Sequence, residues 1–145
     1  MKWILPLLFL MVACLNDNQT PESALKSFVE ARIGQVVTRE FMLERVTGKM
    51  QQVIENISEE EFTKFADLRH VQRNSFKVLS KSCQEKKCFM TYSITFVTKE
   101  GDRSVYSTDV KKIAEVVNEN GKWLIADVSN IKTYHESLEP INPLE

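Results

Sequence analysis

The sequence predicts an α+β domain in which three N-terminal helices pack on a curved four-stranded antiparallel meander. Three observations carry this expectation. Apolar residues recur at helical spacing between residues 21 and 66; from Phe76 onward the period changes to two, and β-branched and aromatic residues dominate. The connections between the strand-like runs, CQEKKC, KEGD and NENG, have the turn chemistry of hairpins. Helices grouped first and strands grouped after them form the α+β pattern.

In chain order, residues 1–13 come first. One cation, Lys2, precedes an apolar run from Trp3 to Ala13 broken only by Pro6, which is the layout of a secretory signal. The run falls short of the ~20 apolar residues that a membrane span needs. Met11, Val12, Ala13 and Cys14 resemble the lipobox of bacterial lipoprotein signals, with Met11 where leucine is usual. The resemblance implies cleavage before Cys14 and acylation of its thiol, a palmitate-bearing anchor. Each buried methylene contributes about 0.8 kcal/mol, so several chains together hold a protein on the bilayer without spanning it. The alternative is an ordinary signal peptide cut near Ala13, with Cys14 incidental. Leu15 stands where lipoproteins kept in the inner membrane carry aspartate, which favours the outer membrane, facing the periplasm.

Residues 14–20 read as a polar tether and 21–130 as the folded domain. Thr20 is placed as a helix N-cap, with Pro21 at the first helical position and Glu22 near the positive helix end. Ala24, Leu25, Phe28, Val29 and Ala31 then give an apolar face, and Gly34 is the stop. A second helix capped by Thr38 runs through Phe41, Met42 and Val46, is interrupted at Gly48, and resumes through Met50, Val53, Ile54 and Ile57. Ser58 and Glu61 form a capping box for a third, through Phe62, Phe65 and Ala66. The acidic run 59–61 reads as a solvated helix N-terminus rather than a metal site.

Strands are expected at 75–82, 88–98, 104–117 and 122–128. In the second, Met90, Tyr92, Ile94 and Phe96 share the face turned to the helices, and Phe89, Thr91, Ser93, Thr95 and Val97 the wetter one. In the third, Tyr106, Thr108 and Val110 share a side while Ile113 falls out of phase, which predicts a bulge near Lys111 and Lys112. Periodicity is lost after Val128, and with Pro140 and Pro143 it predicts an extended tail over 131–145.

Cleavage before Cys14 leaves 132 of 145 residues, enough for one domain that buries roughly two-thirds of its unfolded surface. The full chain carries 19 basic against 20 acidic residues, and no clustered basic face points to a nucleic-acid partner. With Cys14 committed to lipid, Cys83 and Cys88 remain, an even number suited to an oxidising compartment. They flank a polar tetrapeptide and are placed as a hairpin disulfide. Two free thiols, or a metal site with His70 or His135, are the competing readings. Neither histidine stands at ligand spacing, and no metal or other cofactor is expected.

The pieces TPESALKSFVEAR and IAEVVNENGKWLIADV, the latter marked by Gly121 and Trp123, resemble the nuclear-transport-factor-two-like superfamily of cone-shaped α+β domains, and within it small bacterial envelope proteins. The resemblance spans nearly all of the chain after Cys14. It implies either a binding domain without catalysis or an isomerase- or cyclase-like enzyme with an acid or base inside the cone. An enzyme needs an ionisable group in the apolar interior. Tyr92, Tyr106 and Asp109 are the candidate cavity-lining residues, each with a plainer reading as core packing or strand edge; Asp127 reads as a strand end. His70, beside Arg69 and Arg73, reads as a connector residue or part of an anion site. No phosphate loop, nucleophile elbow or zinc motif is present, and no catalytic residue is named.

The expected function is a lipid-anchored, periplasm-facing, non-catalytic domain that binds an envelope protein or a small periplasmic ligand. The alternatives are the cone-fold enzyme acting on a small hydrophobic substrate, and an assembly protein that contacts others through Phe89 and Val97 on the outer sheet face.

Overall fold

The structure, a computed structural model, describes residues 18–68 and 71–138. The signal-like segment, Cys14, Arg69, His70 and residues 139–145 lie outside that range. Four helices, α1 (Pro21–Gly34), α2 (Arg39–Leu43), α3 (Gly48–Asn56) and α4 (Glu59–Ala66), precede four strands, β1 (Val71–Gln84), β2 (Lys87–Glu100), β3 (Arg103–Glu119) and β4 (Lys122–Ser137). The fold is therefore α+β with the helices first and an antiparallel sheet in the order β1-β2-β3-β4.

The helix starts follow their caps. The Thr20 hydroxyl accepts from the Ser23 amide, Thr38 from Phe41, and Ser58 from Glu61, whose carboxylate accepts the Ser58 amide in return. The expected second helix is instead two. Between them Arg45 and Thr47 pair with the sheet: the Ile125 amide donates to the Arg45 carbonyl at 3.0 Å, and the Thr47 amide donates to the Ile125 carbonyl at 2.9 Å. This short parallel bridge at Val46 takes the backbone groups that a continuous helix would use. Gly48, at φ +54°, then restarts the chain as α3.

Each hairpin closes on a two-residue turn. Asn120 and Gly121 both have positive φ, the requirement of a type I′ turn, and Gly101 leads the second turn. In the first, Glu85 takes the left-handed conformation, so the ladder extends to Gln84↔Lys87 and sets Cys83 directly opposite Cys88. All four strands outrun their sequence-predicted bounds. The largest correction is β4: residues 131–137, expected as tail, pair with β3 from Lys111↔Lys132 to Tyr106↔Ser137. Every residue from 129 to 137 is exposed, so backbone pairing alone forms this stretch and no apolar alternation announces it.

The sheet is irregular at several registers, but not as expected on β3. Thr108, Val110, Ala114 and Val116 all turn inward, so β3 keeps its phase and Ile113 faces outward. The extra residues sit on β4, at Ile131 and Ala126, opposite the Lys111/Lys112 and Glu115/Val116 steps. In β2 the expected inner residues Met90, Tyr92 and Ile94 are buried. Leu25 and Phe28 of α1, Met42 of α2 and Ile54 of α3 meet Met90, Tyr92, Val116 and Ile125 in one core. Asn18, expected within the polar tether over 14–20, is 7% exposed, and its carbonyl accepts the Trp123 amide at 3.1 Å.

Candidate functional site

The core does not fill the space under the whole sheet. Between the C-terminal half of α1 and the inner face of β2, β3 and β4 lies a cavity of 330 Å³. Its walls are apolar: Val29 and Ile33 from α1, Ile94 and Phe96 from β2, Val110 from β3 and Val71 from β1. Leu68 closes one side, held there by its amide donating to the Arg32 carbonyl at 3.0 Å.

Five polar side chains border this space: Arg32, Tyr92 and Lys112, and, from the exposed part of β4, Asn130 and Thr133. Arg32 follows Leu25, Phe28 and Val29 on the buried stripe of α1, at the position one turn on where the period calls for another apolar residue. Its Nε donates to the Phe65 carbonyl at 2.9 Å, and its guanidinium carbon lies 4.1 Å from the centre of the Phe65 ring. That contact and the hydrogen bond position the head group, and among the described residues no other acceptor meets its outer N–H groups. Lys112 reaches in from the inner face of β3, between Val110 and Ala114. Among the described residues no carboxylate forms an ion pair with either cation.

Burial governs the electrostatics. It pushes the Arg32 guanidinium down to about 10, an effect that nearby Tyr92 opposes, so the arginine stays charged at neutral pH. The Tyr92 phenol is pushed up to about 12, again by burial, with the Arg32 charge pulling the other way. Tyr92 therefore serves as a neutral hydrogen-bond donor and not as a base. Lys112 is held below its ordinary value by burial first and by repulsion from Arg32 second.

Of the three candidates drawn from the sequence, this cavity collects only Tyr92, 1% exposed and packed on Phe76 with ring centres 5.7 Å apart. Tyr106 is 48% exposed: the β2–β3 register steps from Thr98↔Tyr106 to Lys99↔Ser104, and the extra residue, Val105, takes the buried side. Asp109 sits on the outer face, where its carboxylate accepts from the Thr95 hydroxyl. Asp127 pairs with Lys49 at 3.0 Å. His135, expected in the tail, lies on β4 with Nδ1 2.9 Å from the Thr108 hydroxyl. The residues missed were Arg32 and Lys112, and each had a signal: a cation on an otherwise apolar inner face.

Other features fall elsewhere. The sulfurs of Cys83 and Cys88 are 2.05 Å apart, a disulfide across the β1–β2 hairpin. The acidic run at α4 is spent on Arg39, Lys64 and the Ser58 cap. Among the described residues no three His, Cys, Asp or Glu side chains group closely enough to hold a metal ion, and no helix is long and apolar enough to cross a membrane. A groove of 630 Å³ between α1 and α2 is larger than the cavity, but it opens to solvent with Lys26, Glu30 and Arg45 of mixed charge on its rim. Comparison of the chain with protein-family models, with curated proteins and with solved structures found no match.

Proposed function

We propose that this chain is a lipid-anchored, periplasm-facing domain of the bacterial envelope that binds a small, largely apolar ligand without transforming it. The observation that carries the reading is the cavity under α1: partly open, lined largely by apolar side chains with a few polar groups among them, and of a size at the lower end of small-molecule sites. The anchor rests on the run from Met11 to Cys14. Asn18 is docked on the sheet only four residues after Cys14, so the domain would sit within about 14 Å of its lipid attachment. The helices-first order and the bulged meander support kinship with the nuclear-transport-factor-two-like cone.

The enzyme reading asked for an inward acid or base. The described cavity wall offers two cations and a neutral phenol, and Asp109 points to the opposite face. That arrangement supports holding and orienting a ligand, with no carboxylate or histidine among the described lining residues.

Two experiments test the proposal. Palmitate labelling of wild type but not of Cys14→Ser is expected, and equal labelling of both removes the anchor. Phenylnaphthylamine, a neutral apolar dye, should bind the full chain saturably and be displaced when Ile94→Trp fills the cavity. Binding that is unchanged by Ile94→Trp in a folded variant would place the dye elsewhere and sink the cavity reading.

A further inference from the structure

We propose that the cavity selects an anion with an apolar body, its head group seated between Arg32 and Lys112 and its tail along Val29, Ile94 and Phe96. This rests on the reading of the cavity as a ligand site and adds the chemical class of the ligand.

A charge drawn out of water is costly unless a partner compensates it. Some surface cations have such partners, as Lys49 has Asp127, Lys64 has Glu60, Lys87 has Glu115 and Arg39 has Glu59, and exposed lysines without one keep their water instead. Arg32 and Lys112 have none among the described residues, although both line the cavity and repel one another. Two like charges converging in a partly desolvated, apolar-walled space are stabilised together by one negative group placed between them.

The remaining polar groups fit the same occupant. Arg32 donates from Nε to the Phe65 carbonyl and lies over the Phe65 ring, which leaves the other edge of its guanidinium as a planar fork suited to a carboxylate or phosphate. Tyr92, kept protonated, is a third donor, and on the exposed β4 side of the same wall the Asn130 amide donates to the Thr133 hydroxyl at 3.0 Å. The rest is hydrocarbon, so a fully hydrated inorganic anion would leave most of the wall unmatched. A carboxylate or phosphate monoester with a short alkyl or aryl body matches both halves.

The test uses four probes of one chain length, octanoate, octyl phosphate, octanol and octylamine. Each is titrated calorimetrically into the full chain held in lipid nanodiscs, with empty nanodiscs as the blank. One or both anions should bind at least about tenfold more tightly than octanol, the scale of a charge-assisted contact, and octylamine should not compete. Which anion binds better distinguishes a carboxylate source from a phosphate ester. Arg32→Met is a poor first variant because the same side chain holds the Phe65 carbonyl. Lys112→Met leaves that contact intact and should reduce the preference for the anion over octanol by about tenfold while octanol binding stays constant. Octanol bound as tightly as both anions overturns the anion assignment and leaves the cavity reading standing. No binding by any of the four overturns both. An anion preference undiminished in Lys112→Met overturns the two-cation seat.

Discussion

Arg32 on α1 and Lys112 on β3 face one cavity from opposite walls, and the guanidinium charge adds to burial in holding the Lys112 ammonium below its usual pKa. In the ligand-free protein this juxtaposition is unfavourable. Lys112→Met should therefore stabilise the empty domain, by up to about 1 kcal/mol because solvent screens a side chain that is only partly buried. Urea denaturation of the two proteins at neutral pH checks this. Wild type also binds fewer protons folded than unfolded between the depressed value and 10.5, so this lysine makes stability rise with pH across that window. The variant should lack that contribution.

Tyr92 acts in the opposite sense. Its phenol is raised from 10.0 to about 12, mainly by burial, so the folded state holds the proton longer than the unfolded chain. Its contribution is complete below pH 10 and is lost as pH rises from 10 to about 12, amounting to about 3 kcal/mol. The difference in unfolding free energy between wild type and Tyr92→Phe should shrink across that range, which isolates the phenol from the other alkaline groups. Absorbance titration should show one phenolate appearing near pH 12 and absent in Tyr92→Phe.

On acidification the capping box at α4 and the Glu22–Lys81 pair should lose their contributions to stability. Glu61 is held below its ordinary 4.5 by the Ser58 backbone amide and then by the Ser58 hydroxyl, and Glu22 below 4.5 chiefly by its hydrogen bond from Lys81. Both carboxylates stabilise the fold above pH 4.5, and that stability is lost as pH falls through their depressed folded values. Glu61→Gln should lower the melting temperature at pH 7 and flatten its fall on acidification; an unchanged slope would show that the cap does not report on acid stability.

Gly48 tests the hinge between α2 and α3. At φ +54° an added Cβ would meet Ala126 at 3.7 Å, an ordinary contact, so the penalty of Gly48→Ala lies in the backbone alone. About 1–2 kcal/mol is expected from denaturant midpoints. A neutral effect would mean that the restart of the helix does not require the left-handed conformation.

The Cys83–Cys88 bond closes a very short loop, so it constrains the unfolded chain modestly. Reduction should cost about 2 kcal/mol on the chain-entropy model, measured by denaturation with and without a thiol reductant. The cavity lies elsewhere, and ligand binding should survive reduction.

Much of the fold was legible because it is dictated locally. Thr20, Thr38, Ser58 and Glu61 cap where their side chains can reach orphan amides, and Asn120-Gly121 turns where positive φ is needed twice. What escaped were features that depend on pairing across long separations. The interruption at Gly48 was expected, but not the Val46–Ile125 bridge that ends α2 ahead of it, and the exposed half of β4 is a strand only because β3 lies beside it. The site was misjudged for the same reason. The bulge expected near Lys111 and Lys112 left the face of Lys112 unassigned, whereas the extra residue at that step, Ile131, belongs to β4.

By itself, then, the sequence determined the α+β class, the helix starts, the hairpin turns, the inner face of β2 and the pairing of Cys83 with Cys88, because each follows from contacts within a few residues or from a simple period. Only the tertiary structure decided that Tyr92 alone of the proposed trio enters the cavity, and that Arg32 and Lys112 meet it there. Side-chain direction on a bulged sheet depends on register, and register is set between strands, not within them.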